Sequence, residues 1–318
     1  MLVDDLTLTT KLGEGSFGNV YLTTKQGAST KYATKVIDKA KNQYLIEYIN
    51  NEISILKDVN HPNIIRFIEK HEDSNNIYIV TEFYNGVNLS QALKRYQNGN
   101  DKGFPEEIVQ YIMKEIIEGV KYLHNKRIIH RQLSLDNIMI NYENEDDLKN
   151  NNIMKGKIKI IDFSIASYLK KGELSNLLAG IRTYMSPIMF VKDKDIEYDE
   201  KEDIWNLGTT CYILLTGKYP FAHKNRENYY VPTTLSKEAI SFLNCMLQYD
   251  SKKRLNAHSL YNHAFLRKNI KEFNNIDLTK LKNITIEENS KILINTKENE
   301  NIRENFGIFP AFIAAFSS

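Results

Sequence analysis

Apolar and polar positions alternate at the start of the chain. Leu6 to Thr10 and Asn19 to Thr24 read as strands flanking a glycine-rich turn, and Lys31 to Ile37 as a third strand. Asn42 to Asp58 changes period: Leu45, Ile49, Ile53 and Leu56 fall on one helical face. Two strand-like runs follow, Ile64 to Lys70 and Ile77 to Phe83, so the region up to Tyr84 is mostly β with one helix. After Gly86 helices dominate. Pro105 marks a helix start, and Ile108, Ile112, Ile116, Val120 and Leu123 line its face. Short strands are predicted at Ile138 to Ile140 and Ile158 to Ile161. The polar stretch NYENEDDLKNNNIMKGK between them reads as a long surface loop. Asp203 to Thr216 is apolar nearly all round and predicts a buried helix; Ser236 to Gln248 predicts another. From about Arg267 the chain is charged and Asn-rich until it reaches FGIFPAFIAAFSS. The expected class is α+β, divided at 1–84, 85–266 and 267–318.

Composition narrows this little. The chain has 318 residues, 42% hydrophobic and 26% charged, which is enough to bury a sizeable core. A net charge of +2 gives no reason to expect nucleic acid or an anionic membrane as partner. Two isolated cysteines, Cys211 and Cys245, read as reduced core thiols. The first residues, MLVDDLTLTTKL, carry acids where a signal peptide carries bases, and no apolar run reaches the roughly 18 residues of a membrane helix. The expected setting is cytoplasmic or nuclear.

The candidate chemistry begins at GEGSFGNV. Gly13, Gly15 and Gly18 keep the G-x-G-x-x-G spacing, followed by Val20. Glycines allow close backbone approach to phosphate oxygens, but a plain hairpin turn reads the same way. A strand follows rather than a helix, which argues against a Rossmann turn. Lys35 ends YATK, and Glu52 lies on the amphipathic helix. A lysine and a glutamate converging beside such a loop can orient α- and β-phosphates. Asn137, in IIHRQLSLDNIMI, and Asp162, in IIDFS, offer oxygens suited to Mg²⁺.

In this order, with His130-Arg131, Phe163, Ser186-Pro187, Asp203-x-Trp205 and Arg254, these elements resemble the eukaryotic protein kinases over about residues 6 to 266. The helix-to-hinge stretch is most similar to the calcium/calmodulin-dependent group. No EF-hand pattern follows in the tail. Ser134 is neither the alanine nor the arginine that tyrosine kinases tend to carry there.

The resemblance implies a two-lobed fold, with a β-rich N-lobe, a mainly helical C-lobe and ATP in the cleft. Gly13, Gly15, Gly18, Val20, Ala33, Lys35 and Thr81 would surround the nucleotide, with Thr81 as a small gatekeeper. Glu82 to Tyr84 would be the hinge that hydrogen-bonds adenine. Asn137 and Asp162 would hold Mg²⁺, or Mn²⁺ in its place.

The departures from the family pattern cluster on the acceptor side. Gln132 stands where the family's catalytic aspartate accepts the substrate proton, and an amide has no useful basicity. Ser134 replaces the lysine that steadies the transferring phosphate, and Ile181 the threonine of the substrate-facing loop. Asn88 replaces an acid that in the family often touches the ribose or a basic substrate residue. Ile188 replaces the glutamate that pairs with Arg254, leaving Glu197 or Asp199 as candidate substitutes, and Ser164 replaces a glycine. Asp136 occupies a non-catalytic position and is not expected to act as base.

Three readings follow. The first is a pseudokinase that binds ATP and Mg²⁺ and works on an unidentified protein partner as allosteric regulator or scaffold. The second is a weakly active serine/threonine kinase that modifies protein hydroxyls. The third is an interaction module indifferent to nucleotide. Ser175 and Thr183 are candidate phosphorylation sites by position. The apolar end, Phe306 to Ser318, is expected either to pack on its own domain or to dock on a partner.

Overall fold

The computed structural model describes residues 2–3, 5–169, 182–190, 199–221 and 229–267. The expectations for Ser175, Ile181, Glu197 and the apolar end lie outside those residues.

Hydrophobic alternation folds as expected into an antiparallel sheet. Its strands are β1 (Leu2–Val3), β2 (Leu6–Gly15), β3 (Gly18–Lys25), β4 (Lys31–Asp38), β5 (Phe67–Glu72) and β6 (Asn76–Glu82), in the order β1-β2-β3-β4-β6-β5. One face packs Leu6, Leu8, Tyr78 and Val80 with Tyr21, Tyr32, Val36 and Ile68. Residues one step along β4 point to the opposite face, which receives Ala33, Lys35 and Ile37. Helix α1 (Ile46–Asp58) buries Ile49, Glu52, Ile53, Ile55 and Leu56.

The strand expected from Ile64 begins later, at Phe67. Ile64 instead bridges in parallel to Ile160, and the Ile65 N–H donates to the Ile160 carbonyl at 2.9 Å. The apolar residues Ile64 and Ile65 therefore tie the sheet to the helical region.

That region is built on α3 (Glu106–Asn125), which follows β7 (Gly86–Asn88) and α2 (Leu89–Gln97). Pro105 sits at its N-cap, as its fixed φ suits. Its buried stripe runs through Val109, Ile112, Met113, Ile116, Val120 and Leu123; Ile108, expected on that face, is only partly covered. Strand β8 (Ile128–Ile129) follows, then β9 (Ile138–Asn141).

The stretch after β9, expected as a loop, contains helix α4 (Glu145–Lys149). Its asparagines act as caps and ties. The Asn144 side chain accepts from the Asp146 N–H at 2.7 Å, and Asn151 Nδ2 donates to the Ala92 carbonyl at 3.0 Å. Polar repetition hid this helix because capping residues look like loop residues.

Strands β10 (Lys157–Ile160) and β11 (Ser167–Tyr168) complete two small sheets, β10-β9-β7 and β11-β8. Helix α5 (Lys201–Thr216) is buried almost throughout, and α6 (Lys237–Met246) starts at its Ser236 cap. Short helices α7 (Ala257–Tyr261) and α8 (Ala264–Arg267) close the described residues. Among them no helix is long and apolar enough to cross a membrane.

Arg254 is fully buried and has a partner other than those expected. Its Nη1 donates to Glu202 Oε1 at 3.1 Å and to the Lys201 carbonyl at 2.9 Å, and its Nε donates to the Gln248 carbonyl at 2.8 Å. The guanidinium lies 4.9 Å from the Trp205 ring centre. Ser186 Oγ donates to the same Glu202 oxygen at 2.6 Å. The first turn of α5 thus supplies the carboxylate that Ile188 does not. Glu202→Ala strands this guanidinium and costs on the order of 3–5 kcal/mol, a fall in Tm of about 6–15 °C by scanning calorimetry. Glu202→Leu combined with Arg254→Met recovers part of that loss, because no uncompensated charge remains.

Candidate functional site

β2 and β3 pair down to Gly15 and Gly18, so Ser16 and Phe17 form the turn. Of the three loop glycines, packing demands only Gly18: a Cβ there would lie 1.9 Å from the Val36 carbonyl oxygen. A Cβ at Gly15 would sit 3.3 Å from Lys35 Cε, and one at Gly13 would meet nothing within 4 Å. The turn is therefore a hairpin, and it also lies directly against Lys35. Phe17 is buried, with Lys35 Nζ 5.3 Å from its ring centre. Its carbonyl accepts from Asn42 Nδ2 at 3.1 Å.

Cross-strand pairing gathers the expected cleft residues on one face. Val20 lies opposite Lys35, and Ala33 opposite Thr81, whose Oγ1 donates to the Ala33 carbonyl at 3.2 Å. Glu82 donates its N–H to the Arg66 carbonyl at 3.0 Å. The buried Tyr84 hydroxyl accepts from the Arg66 N–H and donates to Glu82 Oε2, each at 3.3 Å.

Lys35 Nζ meets Glu52 Oε1 at 2.7 Å and Oε2 at 2.9 Å, and lies 3.7 Å from Asp162 Oδ1. Burial pulls the ammonium pKa down, but the two facing carboxylates win and hold it above its ordinary value. Burial likewise opposes the charged Asp162, yet Lys35 and the Ser164 N–H keep its pKa below the ordinary carboxylate value. Both groups are charged at neutral pH.

The loop bearing Gln132 is held from below. Asp203, at the start of α5, is fully buried. Its Oδ2 accepts from the His130 N–H and pairs with His124 Nε2, each at 2.9 Å, and its Oδ1 accepts from the Arg131 N–H at 2.7 Å. Arg131 takes φ +68°, a strained value for a non-glycine residue. His130 Nε2 meets the Ile161 carbonyl at 3.0 Å, while its Nδ1 accepts from the Gln132 N–H at 3.3 Å. A carbonyl needs a donor and an N–H needs an acceptor, so these contacts select the neutral Nε2–H tautomer.

Gln132 is buried, and its carbonyl accepts from Ser134 N at 2.9 Å and Asn137 Nδ2 at 3.1 Å. That bond uses the amide nitrogen, so Asn137 Oδ1 could serve as a ligand to a cation. The Ile161 N–H donates to the Asn137 carbonyl at 2.9 Å, which brings Asn137 beside Asp162. The Ser134 hydroxyl is fully buried without a partner among the described residues. Asn88 caps α2, accepting from the Gln91 N–H at 2.8 Å, a role the sequence reading missed.

A family model described as protein kinase domain matches residues 6–266. The chain belongs to the protein kinase family. Over 285 residues it is 33% identical to calcium-dependent protein kinase 5 of Plasmodium berghei (strain Anka), a match covering 85% of this chain and 47% of that protein. Over 296 residues it is 31% identical to calcium-dependent protein kinase 5 of Plasmodium falciparum (isolate 3D7), covering 88% and 48%. The chain spans about half the length of these curated relatives.

The kinase fold thus brings Lys35, Glu52, Asp162 and Asn137 together from four separate segments. Ser16 also belongs to the site. Its Oγ donates to Asp162 Oδ2 at 3.1 Å and accepts from Ser164 Oγ at 2.9 Å. Sequence reasoning missed it, although both serines sit inside recognised motifs, because they are 148 positions apart. Thr183 is exposed.

The neutral His130 generates a pH dependence. Burial holds its pKa below the ordinary 6.5. As pH falls below 6.5, the unfolded imidazole takes a proton that the folded one refuses, so stability falls. Tm is expected to decline between pH 7 and pH 5, before most carboxylates titrate. His130→Phe is expected to lower Tm at pH 7 and to flatten this slope. His61 and His263, also held down by burial, leave a residual slope.

Proposed function

We propose that this chain binds ATP with Mg²⁺ or Mn²⁺ and acts in cytoplasmic or nuclear signalling as a pseudokinase, regulating or scaffolding a protein partner. The observation that carries this is the contrast between two halves of one cleft. Lys35, Glu52 and Asp162 form a connected ionisable group, with Lys35 2.7 Å from Glu52 and 3.7 Å from Asp162. Gln132 holds the position from which the family's base acts, and it cannot take a proton. Lys35 would orient the phosphates, held in place by Glu52. Asp162 and Asn137 Oδ1 would hold the metal, which supplies charge neutralisation when bound. Val20, Ala33 and Thr81 would contact the adenine, and the hinge from Glu82 to Tyr84 would present backbone groups to it.

A second reading, a slow serine/threonine kinase, draws support from the same geometry. Loss of a general base costs about 10² to 10⁴ in rate, and positioning with charge does most of the work in phosphoryl transfer. The relatives' printed names favour the kinase class.

Two measurements separate these readings. Saturating ATP with Mg²⁺, at about 100 times Kd, is expected to stabilise the wild type by roughly 2.7 kcal/mol, a Tm rise of about 5–10 °C. No rise with either metal rejects nucleotide binding. Phosphoryl transfer from labelled ATP is then compared in wild type, Lys35→Ala and Gln132→Asp. Wild type equal to Lys35→Ala supports the pseudokinase. Wild type above Lys35→Ala identifies a slow enzyme.

A further inference from the structure

The glycine-rich loop and the segment after Asp162 meet through two hydroxyls. Ser164 Oγ donates to Ser16 Oγ at 2.9 Å, and Ser16 Oγ donates onward to Asp162 Oδ2 at 3.1 Å. The second Asp162 oxygen accepts from the Ser164 N–H at 3.2 Å and faces Lys35 Nζ at 3.7 Å. Both oxygens of the metal-binding carboxylate are therefore engaged within the chain. Ser164 is 1% exposed, so its hydroxyl has little access to water as an alternative partner. Phe17, beside Ser16, is buried and held through its carbonyl by Asn42. The turn is thus fastened at neighbouring residues on two sides.

We propose that Ser164 is a latch: its hydroxyl, through Ser16, fastens the glycine-rich loop onto Asp162 and keeps the cleft closed until a metal–nucleotide complex displaces Ser16. The glycine that the family carries at this position has no hydroxyl to donate, so the relay depends on the serine. The proposal rests on the nucleotide-binding reading above. A hard cation bound by Asp162 takes carboxylate oxygen as ligand. It competes with the Ser16 hydroxyl for Oδ2, so loop closure and metal binding oppose each other. Affinity then falls by the fraction of molecules that are open. One hydrogen bond of ordinary net strength corresponds to about 2- to 10-fold.

The test compares wild type, Ser164→Ala and Ser16→Ala, each checked for an unchanged fold by circular dichroism. Amide hydrogen exchange across residues 14–18 is measured first, without nucleotide. Faster exchange in both variants is expected. Trinitrophenyl-ATP with Mg²⁺ is then titrated into each, and Ser164→Ala is expected to bind about 2- to 10-fold more tightly. Unchanged loop exchange overturns the latch, as does a Ser164→Ala affinity equal to or weaker than wild type. If no form binds nucleotide, the functional reading and the gating role both fall; the exchange arm still decides whether the serine holds the loop.

Discussion

One buried carboxylate organises the cleft. Asp203 gathers the His130 and Arg131 N–H groups and the His124 ring on two oxygens. Three donors converge where an unpaired charge would otherwise be costly to bury. They hold Arg131 at a backbone angle it would not adopt freely, and that bend directs the chain into Gln132 and Asn137. His130 carries the constraint onward, because its ring bonds the Ile161 carbonyl beside Asp162. The segment bearing Asp162 and the loop bearing Gln132 are therefore positioned by the same anchor.

The Lys35 side of the cleft is held by charge. Lys35 keeps two carboxylates within ion-pair reach, and each offsets part of the cost of burying the others. Around Gln132 the frame is set by the backbone. Gln132 still offers its carbonyl to Asn137 and Ser134, a contact indifferent to what the side chain can do. A loop whose shape depends on main-chain bonds keeps that shape whatever side chain stands at Gln132.

Arg254 shows how a buried cation finds its partner through packing. Arg254 needs a carboxylate, not a particular position in the chain, and Glu202 meets it from the first turn of α5 with help from Ser186. A charge this deeply buried cannot be left alone, so the nearest geometry that satisfies it is the one retained.

Local pattern made most of this architecture legible. Period-two alternation located β2, β3 and β4, apolar positions at helical spacing located α1, α3 and α5, and spaced motif residues named Lys35, Glu52, Asn137 and Asp162, since these signals lie within single segments. Other features were not legible, because they are contacts between distant segments. Glu202 as the partner of Arg254, Ile64 crossing to Ile160, and Ser164 reaching Ser16 each depend on where folded elements come to lie. Asparagine caps such as Asn88 and Asn144 stayed hidden for another reason: a side chain that accepts one backbone N–H has the same composition as one in a loop. The sequence named which groups carry charge and hydrogen-bonding capacity; burial and long-range packing chose which of them had to meet.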